Sequence, residues 1–204
     1  MKIQPFWKMK YFFPLAVAAM STFLMSAGDP PIPFENPSFE GAPKTSSCPP
    51  NWEGFGTQNT PDTQPGAWEV ESPDPKDGHT YVGLVVREDG TCERIGQKIP
   101  QKLTNGKCYI FSIWLSHAEH YAGFSMPIRL KVRGGASSTN CVQILGQSGL
   151  IDKKEWQEVR FQFTAASDIQ YIIFEADYAP GTMFKYKGNI LLDNLSNIIR
   201  CDRA

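Results

Sequence analysis

No stretch of this 204-residue sequence keeps apolar residues at a 3.6-residue period for even three turns, which excludes folds built on long amphipathic helices. It has no internal repeat and no low-complexity tract, so repeat architectures are excluded too. No Cys-x-x-Cys pair occurs among its five cysteines, and their wide spacing does not suit a zinc site. An overall excess of basic residues is also missing. Of the 20 basic residues, Lys2, Lys8 and Lys10 lie in the first ten positions, leaving 17 against 21 acidic residues in the rest of the chain. That mildly acidic body lacks the electrostatic footprint of a nucleic-acid binder, so nucleic acid is not an expected partner.

Recognisable catalytic chemistry is equally scarce. His117-Ala-Glu-His120 closes a strand-like run, where positions three apart point to opposite sides, and it is not the His-Glu-x-x-His pattern of a metalloprotease. Gly146-Gln-Ser148-Gly149 lacks the second spacer and the following helix of a nucleophile elbow. Glu88, Asp89 and Glu93 are neighbours around a turn and read as solvated acids rather than as a glycosidase pair facing across a cleft. No glycine-rich phosphate loop occurs. An enzyme is not expected.

The amino terminus reads as an address. Three lysines within Met1–Lys10 precede an almost wholly apolar run from Tyr11 to Ala27, and Ser26, Ala27 and Gly28 supply a small-residue exit. This is the pattern of a secretory signal peptide over residues 1–28. The alternative is a retained anchor, but the run is interrupted by Pro14 and is shorter than the ~20 residues of a membrane span. Export to the periplasm, cell surface or extracellular space is the expectation, with no membrane span after cleavage. Cys48, Cys92, Cys108, Cys141 and Cys201 all follow this segment, where oxidising conditions favour two disulfides and leave one thiol over.

From residue 78 onward strand signals dominate. His79–Arg87 and Lys107–His117 are rich in β-branched and aromatic residues. In Pro127–Arg133, Ile128, Leu130 and Val132 face one way, while Arg129, Lys131 and Arg133 form what reads as a solvated outer row. Trp156–Thr164 repeats the pattern with Val159, Phe161 and Phe163 inward, and Gln170–Tyr178 and Asn189–Ile199 complete the set. Turn chemistry at Glu88-Asp-Gly90, Asn105-Gly106, Gly134-Gly135 and Pro180-Gly181 separates the runs. Residues 41–78 are irregular, either a long loop or a few short strands. The whole predicts one all-β domain, an antiparallel sandwich or barrel.

Asn36-Pro-Ser-Phe-Glu40, Thr60-Pro-Asp-Thr-Gln-Pro-Gly66, Tyr81-Val-Gly-Leu84, Arg87-Glu-Asp-Gly-Thr91 with Ile95-Gly-Gln97, Arg133-Gly-Gly135 and Gly188-Asn-Ile-Leu-Leu-Asp193 occur in this order. Together they resemble bacterial cell-envelope proteins with a galactose-binding-like β-sandwich, related in shape to carbohydrate-binding modules. The resemblance spans residues 34–201. It implies a jelly-roll β-sandwich of two antiparallel sheets with its first and last strands side by side, and a non-catalytic role in binding polysaccharide or glycan. A structural or adhesive envelope component that docks to other proteins is the alternative. The resemblance also implies a structural Ca²⁺ held by Glu40 and Asp193, the latter a carboxylate set among Ile190, Leu191, Leu192 and Leu195 that needs a partner. The family position at Cys92 is more often aromatic, which implies an extra bridge here, with Cys48 as a candidate partner. Ligand contacts are expected among Trp52, Trp68, Tyr81, Arg87, His117 and Tyr121, with Trp68 and Arg87 foremost because turns flank them.

Overall fold

The structure, a computed structural model, describes Met1 and residues 29–68, 70–71 and 73–201. The expected signal peptide over 1–28 thus lies, but for Met1, outside the described residues. Twelve strands are present: β1 (Glu53–Gly54), β2 (Asp62–Gln64), β3 (Tyr81–Val86), β4 (Arg94–Leu103), β5 (Cys108–Ser116), β6 (Met126–Pro127), β7 (Arg129–Gly135), β8 (Gln143–Gln147), β9 (Gln157–Thr164), β10 (Ile169–Asp177), β11 (Gly188–Asp193) and β12 (Ile199–Arg200). They form two sheets. One has five strands in the order β1-β4-β10-β7-β8; the other runs β12-β5-β11-β3-β2, with β9 added to β5 and β6 to β11. Every pairing is antiparallel except that of β6 with β11. The all-β jelly-roll sandwich predicted from the sequence is the observed fold. Among the described residues no helix is long and apolar enough to cross a membrane.

The period-2 pattern decides which side of each strand is buried. Leu130 and Val132 of β7 point into the sandwich, while Arg129, Lys131 and Arg133 stand on its outer face. Between the sheets, aromatic rings form the centre of the core. The Phe111 ring lies 5.8 Å from Phe34, 6.1 Å from Phe174 and 5.5 Å from Phe161. Trp52 lies 5.7 Å from Phe174 and 4.7 Å from Phe39. Trp52 therefore belongs to the core, and its reading as a ligand contact is corrected. Its indole N–H donates to the Asn36 carbonyl at 3.0 Å, satisfying its one polar atom inside the protein.

The first and last segments meet, as expected: Ile32 and Ile198 exchange backbone hydrogen bonds at 2.9 and 2.8 Å. A disulfide between Cys108 and Cys201 ties the chain end to the start of β5. One bridge forms among the described residues where two were expected. Cys48, Cys92 and Cys141 are free thiols, and no Cys48–Cys92 bridge exists. Cys92 Sγ lies against the Gly90 carbonyl and Cys141 Sγ against that of Ser137. Burial holds all three thiols above their ordinary pKa, with Cys48 raised to about 11.

Truncating Phe174, fully buried where both sheets meet, is expected to cost about 3–5 kcal/mol. Truncating Ile144, an exposed residue of β8, should change stability by less than about 0.5 kcal/mol. Urea unfolding of Phe174→Ala and Ile144→Ala compares them, and equal losses would contradict this account of the core.

Candidate functional site

One end of the seven-stranded sheet is covered on its outer face. There β3 turns Tyr81, Gly83 and Val85 outward, with Gln64 and Asp62 of β2 beside Tyr81 and Gly83. The segment after β5 folds back over this surface and packs Tyr121 against Tyr81, Val85, Ala118 and Leu191. Gly83 makes that packing feasible, because a Cβ at this position would collide with the Tyr121 ring. The buried Tyr121 hydroxyl donates to Asp62 Oδ2 at 2.7 Å, and Asp62 Oδ1 accepts the Ser46 amide at 2.8 Å.

Gln64 shapes the loop that follows. Its side chain donates to the Ala67 carbonyl and accepts the Ala67 amide, both at 3.0 Å, closing a turn from within. The next residue is Trp68, which is 51% exposed and has a backbone φ of 60°. For a bulky side chain that conformation costs about 1–3 kcal/mol.

The hairpin joining β3 to β4 supplies the other wall. Val86 pairs with Cys92, which sets Glu93 across from Val85, diagonal to Arg87. Glu93 is 1% exposed. Its Oε1 accepts from Arg87 Nη2 at 2.5 Å, Thr60 Oγ1 at 2.8 Å and the Thr60 amide at 3.2 Å, and its Oε2 accepts the Val85 amide at 3.0 Å. The acid read from sequence as solvated is in fact a buried anchor, a correction that follows from the hairpin register. The other terminal nitrogen of Arg87, Nη1, is buried without a protein acceptor. Buried donors normally find a partner. A cavity of about 150 Å³ opens here, lined by Thr60, Asp62, Trp68, Arg87, Tyr121 and Phe124. At ~30 Å³ per water that is the volume of a few waters, a space for one small ring.

The electrostatics follow from burial. Desolvation raises the Glu93 pKa, partly offset by its bonds from Thr60 and Arg87. Desolvation raises Asp62 as well, against the Tyr121 hydrogen bond. Tyr121 is held well above the ordinary tyrosine range by burial, then by the charge of Asp62.

Of the expected ligand contacts, the structure brings Trp68, Arg87 and Tyr121 together. Tyr81 is fully buried beneath Trp156, its ring centroid 5.5 Å away, and does not reach the cavity. His117 is also buried, with Nδ1 3.3 Å from the Asn189 carbonyl. Both readings are corrected: these side chains fill the space under the covering loops. Thr60, Asp62, Glu93 and Phe124 escaped the sequence reading. The one available signal was the Glu88-Asp-Gly90 turn, which folds Glu93 back beside Arg87.

The expected metal residues lie elsewhere and share one loop. Asn36 accepts the Glu40 amide at 2.8 Å and donates to the Glu40 carbonyl at 2.9 Å, which fixes Glu40 at the domain entrance. Glu40 Oε1 then accepts the amides of His79 and Thr80 at 2.8 and 3.1 Å. Asp193 Oδ2 accepts those of Lys76 and Asp77 at 2.7 and 3.0 Å, and Oδ1 that of Asn194 at 2.7 Å. Gly78 lies between the two acids with φ 66°, and a Cβ there would strike the Glu40 carboxylate. Among the described residues no group of three or more His, Cys, Asp and Glu side chains converges to hold a metal. The two carboxylates are hard-oxygen donors of the kind Ca²⁺ takes, and a bound ion would draw its remaining oxygens from backbone carbonyls.

A family model for the carbohydrate binding domain matches residues 34–180. The chain belongs to this family. It is a carbohydrate-binding module, of a non-catalytic kind. Among solved structures, an arabinose-bound α-L-arabinofuranosidase superposes with a TM-score of 0.58 at 12% identity, over 83% of this chain and 26% of that one. The CBM22-1 xylan-binding domain of Paenibacillus barcinonensis Xyn10C gives 0.49 at 15% identity, over 85% of this chain and 96% of the other. A cleaved adhesin domain of Lys-gingipain from Porphyromonas gingivalis gives 0.48 at 16%, over 85% and 99%. The module thus spans about a quarter of the arabinofuranosidase chain, with which it shares the fold. No curated protein matches the chain significantly.

Because Glu93 has a raised pKa in the folded module, its contribution favours the folded state below the unfolded glutamate value and is lost as pH rises through the folded value. Acidification from neutral pH toward that unfolded value is therefore expected to stabilise the wild type relative to Glu93→Gln. Urea midpoints of both proteins across this range test it, and parallel pH profiles would refute the assignment.

Proposed function

We propose that the module binds its carbohydrate at the cavity between Trp68 and Arg87. The observation that carries this reading is an exposed, backbone-strained tryptophan beside a buried guanidinium nitrogen with no protein acceptor. Sugar rings offer both complements, an apolar C–H face for an indole and hydroxyl oxygens for a guanidinium. The cavity serves binding rather than hydrolysis. Of its two carboxylates, Glu93 accepts from Arg87, Thr60 and Val85, and Asp62 from Tyr121 and Ser46, so both are held as structural acceptors rather than poised for acid–base work. The basic, then apolar, amino terminus and the disulfide support an exported module acting on glycans outside the cytoplasm.

Calorimetric titration with a panel of neutral oligosaccharides tests the cavity. Trp68→Ala is expected to weaken the binding found for the wild type by about tenfold or more, equivalent to ~1.4 kcal/mol, with an unchanged melting temperature. Equal affinity in both proteins would place the sugar elsewhere.

We further propose that Glu40 and Asp193 hold a structural Ca²⁺. Support comes from the burial of Asp193, whose pKa is raised to about 7 by desolvation despite three amide bonds, with the Asp77 charge adding to the rise. A cation would relieve both effects. Chelation is expected to lower the melting temperature of wild type and leave Asp193→Asn unaffected. A wild-type melt indifferent to both chelator and added Ca²⁺ would remove the metal.

A further inference from the structure

On the far side of the sandwich, the outer face of the five-stranded sheet carries a built array of charge. Antiparallel register sets its rows. Across the strands Arg94, Glu175, Lys131 and Gln147 stand in one line. Glu53, Gly96, Ile173 and Arg133 form the next, and Lys98, Tyr171 and Gly135 a third. Arg129 pairs with Asp177 at the sheet end. The Glu175 carboxylate is almost fully buried yet is approached by three cations: Arg94 Nε at 2.7 Å, Arg133 Nε at 3.0 Å and Lys131 Nζ at 3.1 Å. Asp177 takes Arg129 at 2.6 Å and Lys131 at 2.8 Å. Burial alone would raise the Glu175 pKa, but Arg133, Arg94 and Lys131 together outweigh it and leave it lowered.

This is more positive charge than the acids need. Five cations face three carboxylates, an excess of two positive charges in a chain whose net charge is −1. The excess is oriented as well as present. Arg94 is 41% exposed, and its contact to Glu175 through Nε leaves both terminal nitrogens without a protein acceptor, while Arg133, bonded to Glu175 through Nε and Nη2, keeps Nη1. Such planar forks, fixed from behind by a buried acid, match carboxylate and other oxyanions. The face offers little for stacking: Tyr171 and Phe55 are half-buried, and Gly96 and Gly135 bear no side chain.

Resting on the reading of the chain as a carbohydrate-binding module, we infer that this face binds anionic glycans, polysaccharides carrying uronate carboxylates or sulfate esters, separately from the Trp68 cavity. The buried acids act as orienting groups and the guanidinium and ammonium groups as the contacts.

The test is titration of the full chain with polygalacturonate, with the same polymer after carboxyl reduction, with dextran sulfate, and with polyglutamate as an anionic polymer that is not a sugar. At about 0.1 M NaCl the module is expected to bind polygalacturonate or dextran sulfate at least about tenfold more tightly than the carboxyl-reduced polymer. That preference should fade toward about 1 M NaCl, as the screening length contracts from about 10 Å to about 3 Å. Whichever of the two acidic glycans binds names the anion. The double variant Arg94→Gln, Lys98→Gln should lose the preference. Glu53→Gln, which removes an exposed acid from the same face, should strengthen it, a gain that no structural role predicts. Equal binding of the acidic and carboxyl-reduced polymers would overturn the inference while leaving carbohydrate binding standing. So would a preference that survives the double variant, or polyglutamate binding as tightly as the glycans. If no glycan binds, both readings fall.

Discussion

The aromatic rings shared by the two sheets set the terms for everything else in this module. Phe34, Trp52, Phe111 and Phe174 come from segments far apart in the chain, and their contact is what presses one sheet against the other. Burying them uses the inward side of nearly every strand. The two outer faces and the loops at the rim lie outside that core, and the two faces differ. One is roofed by loops and keeps a small aromatic-walled cavity, whereas the other stays open and carries charge.

Carboxylates, most of them buried, recur as the means by which irregular segments are held. Glu40 and Asp193 hold the loop before β3, Asp62 holds Tyr121, Glu93 joins Thr60 to Arg87, and Glu175 gathers three cations on a sheet face. An ionised carboxylate can accept several hydrogen bonds at once, so one acid organises a loop that has no ladder of its own. The cost of burying it is offset only when the donors are all in place. These acids therefore make the loops single-valued, and the cavity lined by Asp62 and Glu93 inherits that definition.

Much of the architecture was legible in the residues. The alternation in Arg129–Gly135 and Gln157–Thr164 gave both strand and orientation, because one side of each meets solvent. Arg94–Leu103 was not recognised, since Gln97 faces inward, where its side chain bonds to the Glu35 backbone, while Pro100 and Lys98 break the apolar pattern. At the cavity, turns flank Trp68 and Arg87, and the structure brings both into its lining. Tyr81 and His117 could not be separated from them, because their strand region is covered on both sides and alternation then carries no information. Glu93 was missed for the opposite reason: an acid near a turn looks solvated until the hairpin register turns it inward.

The pairing of Ile32 with Ile198, and of Cys108 with Cys201, has a mechanical meaning. Tension applied between the two ends of the domain first meets that single bridge and the Asp29–Arg200 ion pair, which would peel apart one contact after another. Beyond them the force reaches the covalent link and is delivered to the start of β5, a strand hydrogen-bonded to β9, β11 and β12. Pulling on the carboxyl end thus loads the middle of a sheet rather than its frayed margin. A module tethered at that end while its outer faces grip a polymer would resist unravelling from the point of attachment.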